Sequence, residues 1–288
     1  MQRITSKLMR VLVVTLFFAA AATTANSQEK QNLIDVNALA AKGEAIVNAD
    51  PDPLVIDFRN RYTLDSPYRR GFNIGMAAAA GDTLPGPGKD RICASLPQDE
   101  SKGCSLGVSF SVDRNRNEDL AARGAALAKL DPLVALSRTR AFSRRTGYID
   151  YLLGFNIGMA AAEGHTLPGP GKQKIHDALS IGAQRGFATA VTFSLDRNRE
   201  SNSKLAEIGA AIAQAKPDVA AARTTTADIL YWLGFDIATG IFGDPALGAR
   251  GNTATGPGSL KIRDSLSPTG QTGFNAAVTF HLSRNYKR

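Results

Sequence analysis

The chain has 288 residues, of which 43% are hydrophobic, with 34 Lys and Arg against 26 Asp and Glu and only two cysteines. That apolar fraction can bury a core and argues against a disordered chain. The basic excess is mild and spread along the sequence, without the dense stripe of a nucleic-acid binder, so no nucleic-acid partner is expected.

Arg3, Lys7 and Arg10 precede an apolar run from Val11 to Ala22, and Ala25 and Ser27 stand where cleavage before Gln28 would need small residues. This layout predicts a secretory signal peptide over residues 1–27 and a periplasmic or secreted mature protein. The run of twelve residues is shorter than the roughly twenty needed to cross a bilayer core. No later stretch is apolar enough either, so an integral membrane protein is not expected. Without residues 1–27 the count is 31 bases against 26 acids, or net +5.

The rest of the chain repeats itself. GFNIGMAAA occurs at 71–79 and 154–162, TLPGPGK at 83–89 and 166–172, and DRNR at 113–116 and 196–199. A looser third version has GFDIATG from Gly234, GNTATGPG from Gly251, GFNAAVTF from Gly273 and SRN at 283–285. An LAxxGxA segment precedes each, from Leu39, Leu120 and Leu205, at spacings of 81 and 85 residues. The expected organisation is a single repeat domain with copies at 28–117, 118–202 and 203–288.

Within a copy, the LAxxGxA segment reads as a helix. In copy two Leu120, Gly124, Leu127 and Leu130 form one stripe, and Pro51, Pro132 and Pro217 close the three segments. A second helix follows. Ser66 and Pro67 are start signals, Tyr151, Phe155, Gly158 and Ala162 share a face, and Gly81 and Gly164 stand at the stop. Gly71 and Gly75, like Gly154 and Gly158, lie four apart. A helical Gly costs about 1 kcal/mol against Ala, so close helix–helix approach is expected to offset it. A Pro-Gly loop and a short helix through Ile92, Ile175 or Ile262 come next. The final segment is ambiguous. Cys104, Leu106, Val108, Phe110 and Val112 alternate as in a strand, while Phe187, Ala190, Val191, Ser194, Leu195 and Asn198 fit a helix. The favoured fold is all-α, with about three helices per copy. An α+β fold with one short strand per copy is the alternative.

The chemical motifs are weak when judged across copies. Gly103-Cys104-Ser105-Leu106-Gly107 matches G-x-S-x-G, but the other copies read GFATA and GFNAA there. Lys89 and Lys172 end Pro-Gly loops ahead of a helix, a possible anion site. No Ser or Thr follows either Lys, and copy three has Ser259 instead. His165, His176 and His281 each occur in a single copy, without metal-ligand spacing. No metal and no cofactor are expected, and no catalytic residue is assigned. Cys93 and Cys104 are a disulfide candidate, suited to an oxidising compartment. The Arg-Asn pairs 114–115, 197–198 and 284–285 read as helix terminators. Copy three carries an insertion, with 17 residues from Gly234 to Gly251 against 10 for Gly71 to Gly81, placing Asp244 and Arg250 on a Gly-rich loop at 242–252. That loop is either a cap or a site.

These observations favour a non-catalytic exported module that binds a protein or envelope polymer, or supports the envelope. One alternative binds anionic glycan or lipid through the Lys89 and Lys172 loops. Another is an enzyme with its site between copies.

Overall fold

The computed structural model describes residues 35–135, 148–163, 165, 167, 169–199, 202–243 and 256–285. The expected signal peptide, Gly164, Thr166, Asp244 and Arg250 lie outside them. Among the described residues all regular structure is α-helical, without a strand.

Copy one contains α1 (Val36–Ala49), α2 (Pro53–Arg61), α3 (Pro67–Ala78), α4 (Pro87–Ala94) and α5 (Gln98–Arg116). Copy two contains α6 (Glu118–Leu130), a helical turn from residue 132, α7 (Tyr148–Ala161), α8 (Pro170–Asp177) and α9 (Ile181–Asn198). Copy three contains α10 (Asn202–Ala215), α11 (Pro217–Arg223), α12 (Ile229–Gly243), α13 (Pro257–Ser265) and α14 (Pro268–Asn285). Three long helices per copy do the main packing and short helices join them. The sequence hides one of these short helices because prolines mark both an end and a start. Pro217 follows α10 and also opens α11 at its first position. In copy one the start falls two residues later, where Asp52 caps α2 through Leu54 N and Pro53 follows it.

The segment with strand-like alternation is a helix in every copy. In α5 the buried set runs almost continuously from Gly103 to Asp113, because the helix is covered on several sides. Burial all round erases the period that separates helix from strand.

In each copy the middle long helix lies between the other two. α3 packs on α1 and α5, α7 on α6 and α9, and α12 on α10 and α14. Glycines set the spacing. A methyl group on Gly43, Gly124 or Gly209 would overlap the carbonyl oxygen of Asn73, Asn156 or Asp236 respectively. On the opposite side of the middle helix, Gly71, Gly154 and Gly234 meet the carbonyls of Glu100, Ala183 and Gly270. The contact is returned by Gly103, Gly186 and Gly273 against the carbonyls of Tyr68, Tyr151 and Tyr231. This is the close approach expected from the sequence, and it involves more glycines than the paired motif alone.

The contact also corrects the expected stripe of α6. The buried residues are Ala121, Gly124 and Ala128, and Leu130 is 81% exposed. A helix that touches its neighbour by backbone must turn its small residues inward.

Copies are joined by core and by polar bonds. One apolar cluster includes Phe58, Phe72 and Phe110 of copy one with Leu152, Ile157 and Phe187 of copy two. Another includes Phe155 and Phe193 of copy two with Trp232, Phe235 and Phe274 of copy three. The DRNR motif supplies the polar joint. Asp113 Oδ2 accepts from Ser180 N at 3.0 Å, and Asp196 Oδ2 accepts from Ser267 N at 3.0 Å. Arg116 and Arg199 donate to the carbonyls of Ala178 and Ser265 just before those capping serines. Each Asp-Arg set therefore grips the last helix of the following copy. Copy three has Ser283 and Tyr286 at the gripping positions, and copy one has Pro97, without an N–H, at the gripped one.

The Arg-Asn pair between them acts inside its own copy. Arg114 binds Asp50 at 2.6 Å, and Arg197 and Arg284 bind Asp131 and Asp218. Asn115 and Asn198 donate to the carbonyls of Asp82 and His165, at 3.0 and 3.3 Å. The pair stands in the last turn of its own helix and also pins neighbouring loops. In copy one Cys93 of α4 and Cys104 of α5 lie at disulfide distance, with Cα atoms 5.3 Å apart. His176 and Phe187 hold the matching positions in copy two, and their rings meet edge to face at 5.9 Å.

Asp236 in α12 is buried and faces Arg223 of α11, with Nη1 3.4 Å from each carboxylate oxygen. Burial pushes its pKa up to about 7, against the pull of the Arg223 charge. Asn73 and Asn156 occupy the same position in the other copies.

Two outcomes follow from these contacts. Gly124→Ala should lower stability by about 1–3 kcal/mol in chemical denaturation, because overpacking outweighs the gain in helix propensity. Gly88→Ala, where nothing stands near the added methyl group, should cause no such loss. For Asp236, the folded state keeps a proton between pH 4 and 7 that the unfolded chain releases. The stability this group contributes is full below the unfolded pKa and is lost as pH rises toward 7. Asp236→Asn should flatten that part of the melting-temperature profile.

Candidate functional site

A cleft of about 720 Å³ opens where copies one and two meet. That volume suits a small-molecule ligand. One wall is built by Tyr62, Ser66, Pro67 and Tyr68, before and at the start of α3, and by Asp99, Lys102, Ser105, Leu106 and Ser109 on α5. The other wall is Asp150 near the start of α7, with Ser180, Ile181 and Gly182 at the start of α9. Ser180 is also the residue gripped by Asp113, so the polar joint between the copies forms part of the cleft.

Local sequence explains the walls. Ser66 caps α3 and Pro67 fills its first position, which brings Tyr68 onto the first turn. Phe58, Tyr62 and Tyr68 then cluster, with Tyr62 and Tyr68 ring centroids 5.0 Å apart and Phe58 and Tyr62 4.8 Å apart. Gly182 closes against Asp150, since a Cβ there would stand 3.0 Å from the Asp150 Cβ.

Asp150 is the unusual member. It is 7% exposed, and its Oδ1 has no hydrogen-bond partner among the described residues. Burial, reinforced by the negative charge of Asp113, holds its carboxyl well above the usual range. Among the described residues the one basic residue lining the cleft, Lys102, is exposed and contacts Asp99 at 3.4 Å. Copies one and three carry Pro67 and Leu230 at the same position, so the carboxyl is not needed for the fold of a copy.

Asp150 was not among the sequence-derived candidates. Its signal was a lone acid in the run Tyr148–Leu153, at a position that is apolar in the other copies. The residues that were candidates lie elsewhere. Lys89 Nζ donates to Leu84 O at 3.1 Å and pairs with Asp82 at 2.8 Å, and Lys172 Nζ donates to Leu167 O at 3.2 Å. These lysines stitch their own loops. Ser105 lines the cleft from the middle of α5, not from the strand-to-helix turn a nucleophile elbow requires. His165 supplies a carbonyl to Asn198, His176 contacts Asp177 at 2.9 Å, and His281 contacts Thr239 at 3.3 Å. Among the described residues no group of His, Cys, Asp and Glu is suited to a metal.

An unpartnered buried carboxyl costs about 1–3 kcal/mol. Asp150→Leu, which copies the residue of copy three, should therefore raise stability by about that amount. A lower melting temperature for this variant would mean that Asp150 is structural.

Comparison of the chain with protein-family models, with curated proteins and with solved structures finds no match.

Proposed function

We propose that the chain is an exported, non-catalytic binding module that holds a small-molecule ligand in the cleft between copies one and two. Asp150 carries this reading. A buried carboxyl without a partner is a standing cost, and the same scaffold accepts Leu at that position. Such a cost fits a contact that is completed only when a ligand is bound.

Export is favoured by the Cys93 and Cys104 pair at disulfide distance, which suits an oxidising compartment. No described helix is long and apolar enough to cross a membrane. Catalysis has less to rest on. General acid–base work needs groups poised about one reacting bond, and the other carboxylate of the cleft, Asp99, is exposed and engaged by Lys102. Anion capture by the Pro-Gly loops also has less support, because Lys89 and Lys172 are bonded within those loops.

The test uses small-molecule fractions from the protein's native compartment. A fraction should raise the melting temperature of the wild type and leave Ser105→Trp unchanged, since the indole would fill the cleft from an exposed helix position. The reading fails when no fraction has an effect, or when both proteins respond alike.

A further inference from the structure

We infer that the cleft takes an organic ammonium ion, with Asp150 as its counter-ion and Tyr62 and Tyr68 as its aromatic wall. This inference rests on the binding role proposed for the cleft and specifies the chemistry of its ligand.

The first support is charge. Asp150 lines the cleft with one carboxylate oxygen buried and unpartnered among the described residues. Asp113 adds a second negative group from α5, close enough to act on Asp150. The Asp113 carboxylate is already engaged by Ser180 N, so it contributes field while Asp150 remains the free acceptor. Lys102 does not neutralise this end, because its contact is with Asp99 at an exposed position. An anion would meet repulsion here. A neutral ligand leaves the Asp150 carboxyl in a buried setting that disfavours its charged form, whereas a cation supplies the partner that the charged form lacks.

The second support is the lining. The tyrosine pair presents aromatic surface beside the acid, which attracts an organic cation through the ring quadrupoles. Ser66, Ser105, Ser109 and Ser180 add hydroxyl groups along the same walls, and hydroxyl oxygens accept from N–H donors. Leu106 and Ile181 supply apolar surface for the carbon part of the ligand. A bare metal ion fits poorly, since Asp150 and Asp99 are the cleft's two carboxylates, Asp99 is engaged by Lys102, and among the described residues no group of His, Cys, Asp and Glu is suited to a metal.

The third support is the contrast with the joint between copies two and three. There Leu230 replaces Asp150, and Pro268 and Thr269 replace Ile181 and Gly182. That joint keeps the grip of Asp196 on Ser267. The interlock therefore does not require the acid, and the acid marks the first joint as specialised.

The experiment measures binding of three matched probes to the chain lacking residues 1–27, by calorimetry at neutral pH. The probes are phenethylammonium, 2-phenylethanol and phenylacetate. The ammonium should bind more tightly than the alcohol by at least about tenfold, and phenylacetate should not bind at all. Asp150→Asn and Asp150→Leu should each reduce ammonium affinity to that of the alcohol. The second variant guards against misfolding, because Leu already serves at this position in copy three. Ser105→Trp should abolish binding of ammonium and alcohol alike. The inference is overturned by equal affinity for ammonium and alcohol, by cation preference that survives both Asp150 variants, or by no ammonium binding at millimolar concentration. In each of those cases a native fraction that stabilises the wild type but not Ser105→Trp would still uphold the cleft as a site, for a ligand of other charge.

Discussion

Backbone contact between helices is the constraint on which the rest of this structure depends. Each middle helix is approached so closely on both sides that glycine is the only residue that fits at the crossings. The cost in helix propensity, about 1 kcal/mol per Gly, is offset by dispersion contacts along surfaces that interlock without intervening side chains. The consequence is spatial. Copy one keeps a small cluster of its own around Ile74, Val108 and Val112, while the largest side chains lie at the flanks. Phe72, Phe110, Leu152 and Phe187 meet across the boundary between copies one and two, and Phe193, Trp232 and Phe274 across the next. A copy of this kind cannot bury its apolar surface alone, which is the physical reason for repetition.

The polar interlock has a direction. Asp113 and Asp196 cap the last helix of the copy ahead, and Arg116 and Arg199 hold the carbonyls just before that cap. These two positions are the ones that change in copy three, to Ser283 and Tyr286, while the Arg284 and Asn285 that lie between them are kept. The gripped position changes in copy one, to Pro97. The Arg-Asn pair, which serves its own copy, is retained threefold, while the Asp and Arg that grip a neighbour are retained only where that neighbour is engaged. Comparing copies therefore separates internal contacts from contacts at the joints.

Much of this was legible in the sequence because the copies could be compared. The long helices, the Ser66 cap and the close approach of Gly71 and Gly75 all leave local signals, although α3 ends at Ala78, with Ala79 at its C-cap, before the expected Gly81 stop. Gly81 does take a left-handed conformation, with φ of 79°. Other features left signals that pointed two ways. The alternation in α5 imitated a strand because both sides of the helix are buried. The leucines of α6 suggested a stripe, but backbone contact turned Ala121, Gly124 and Ala128 inward instead. The candidate site was legible least of all. Retention across copies identifies what a copy needs, so the Lys loops and the Arg-Asn pairs stood out and proved to be bonded within the fold. Asp150 is unlike its counterparts, and its cleft is assembled from two copies whose relative placement no single segment encodes.

That contrast explains why a site would form at a joint. Inside a copy, the glycine crossings bring backbones into contact and leave no room for a ligand at those crossings. At a joint, copies meet through side chains, and a gap remains that a few substitutions can reshape. Changing Pro or Leu to Asp at position 150 alters the chemistry of such a gap without replacing a glycine of the helix crossings or the Asp113 to Ser180 bond. The scaffold bears the cost of the buried carboxyl because the contacts that hold it together lie elsewhere. The joint between copies two and three, with Leu230 in place of the acid, retains the same fold and shows within one chain what the unspecialised arrangement looks like.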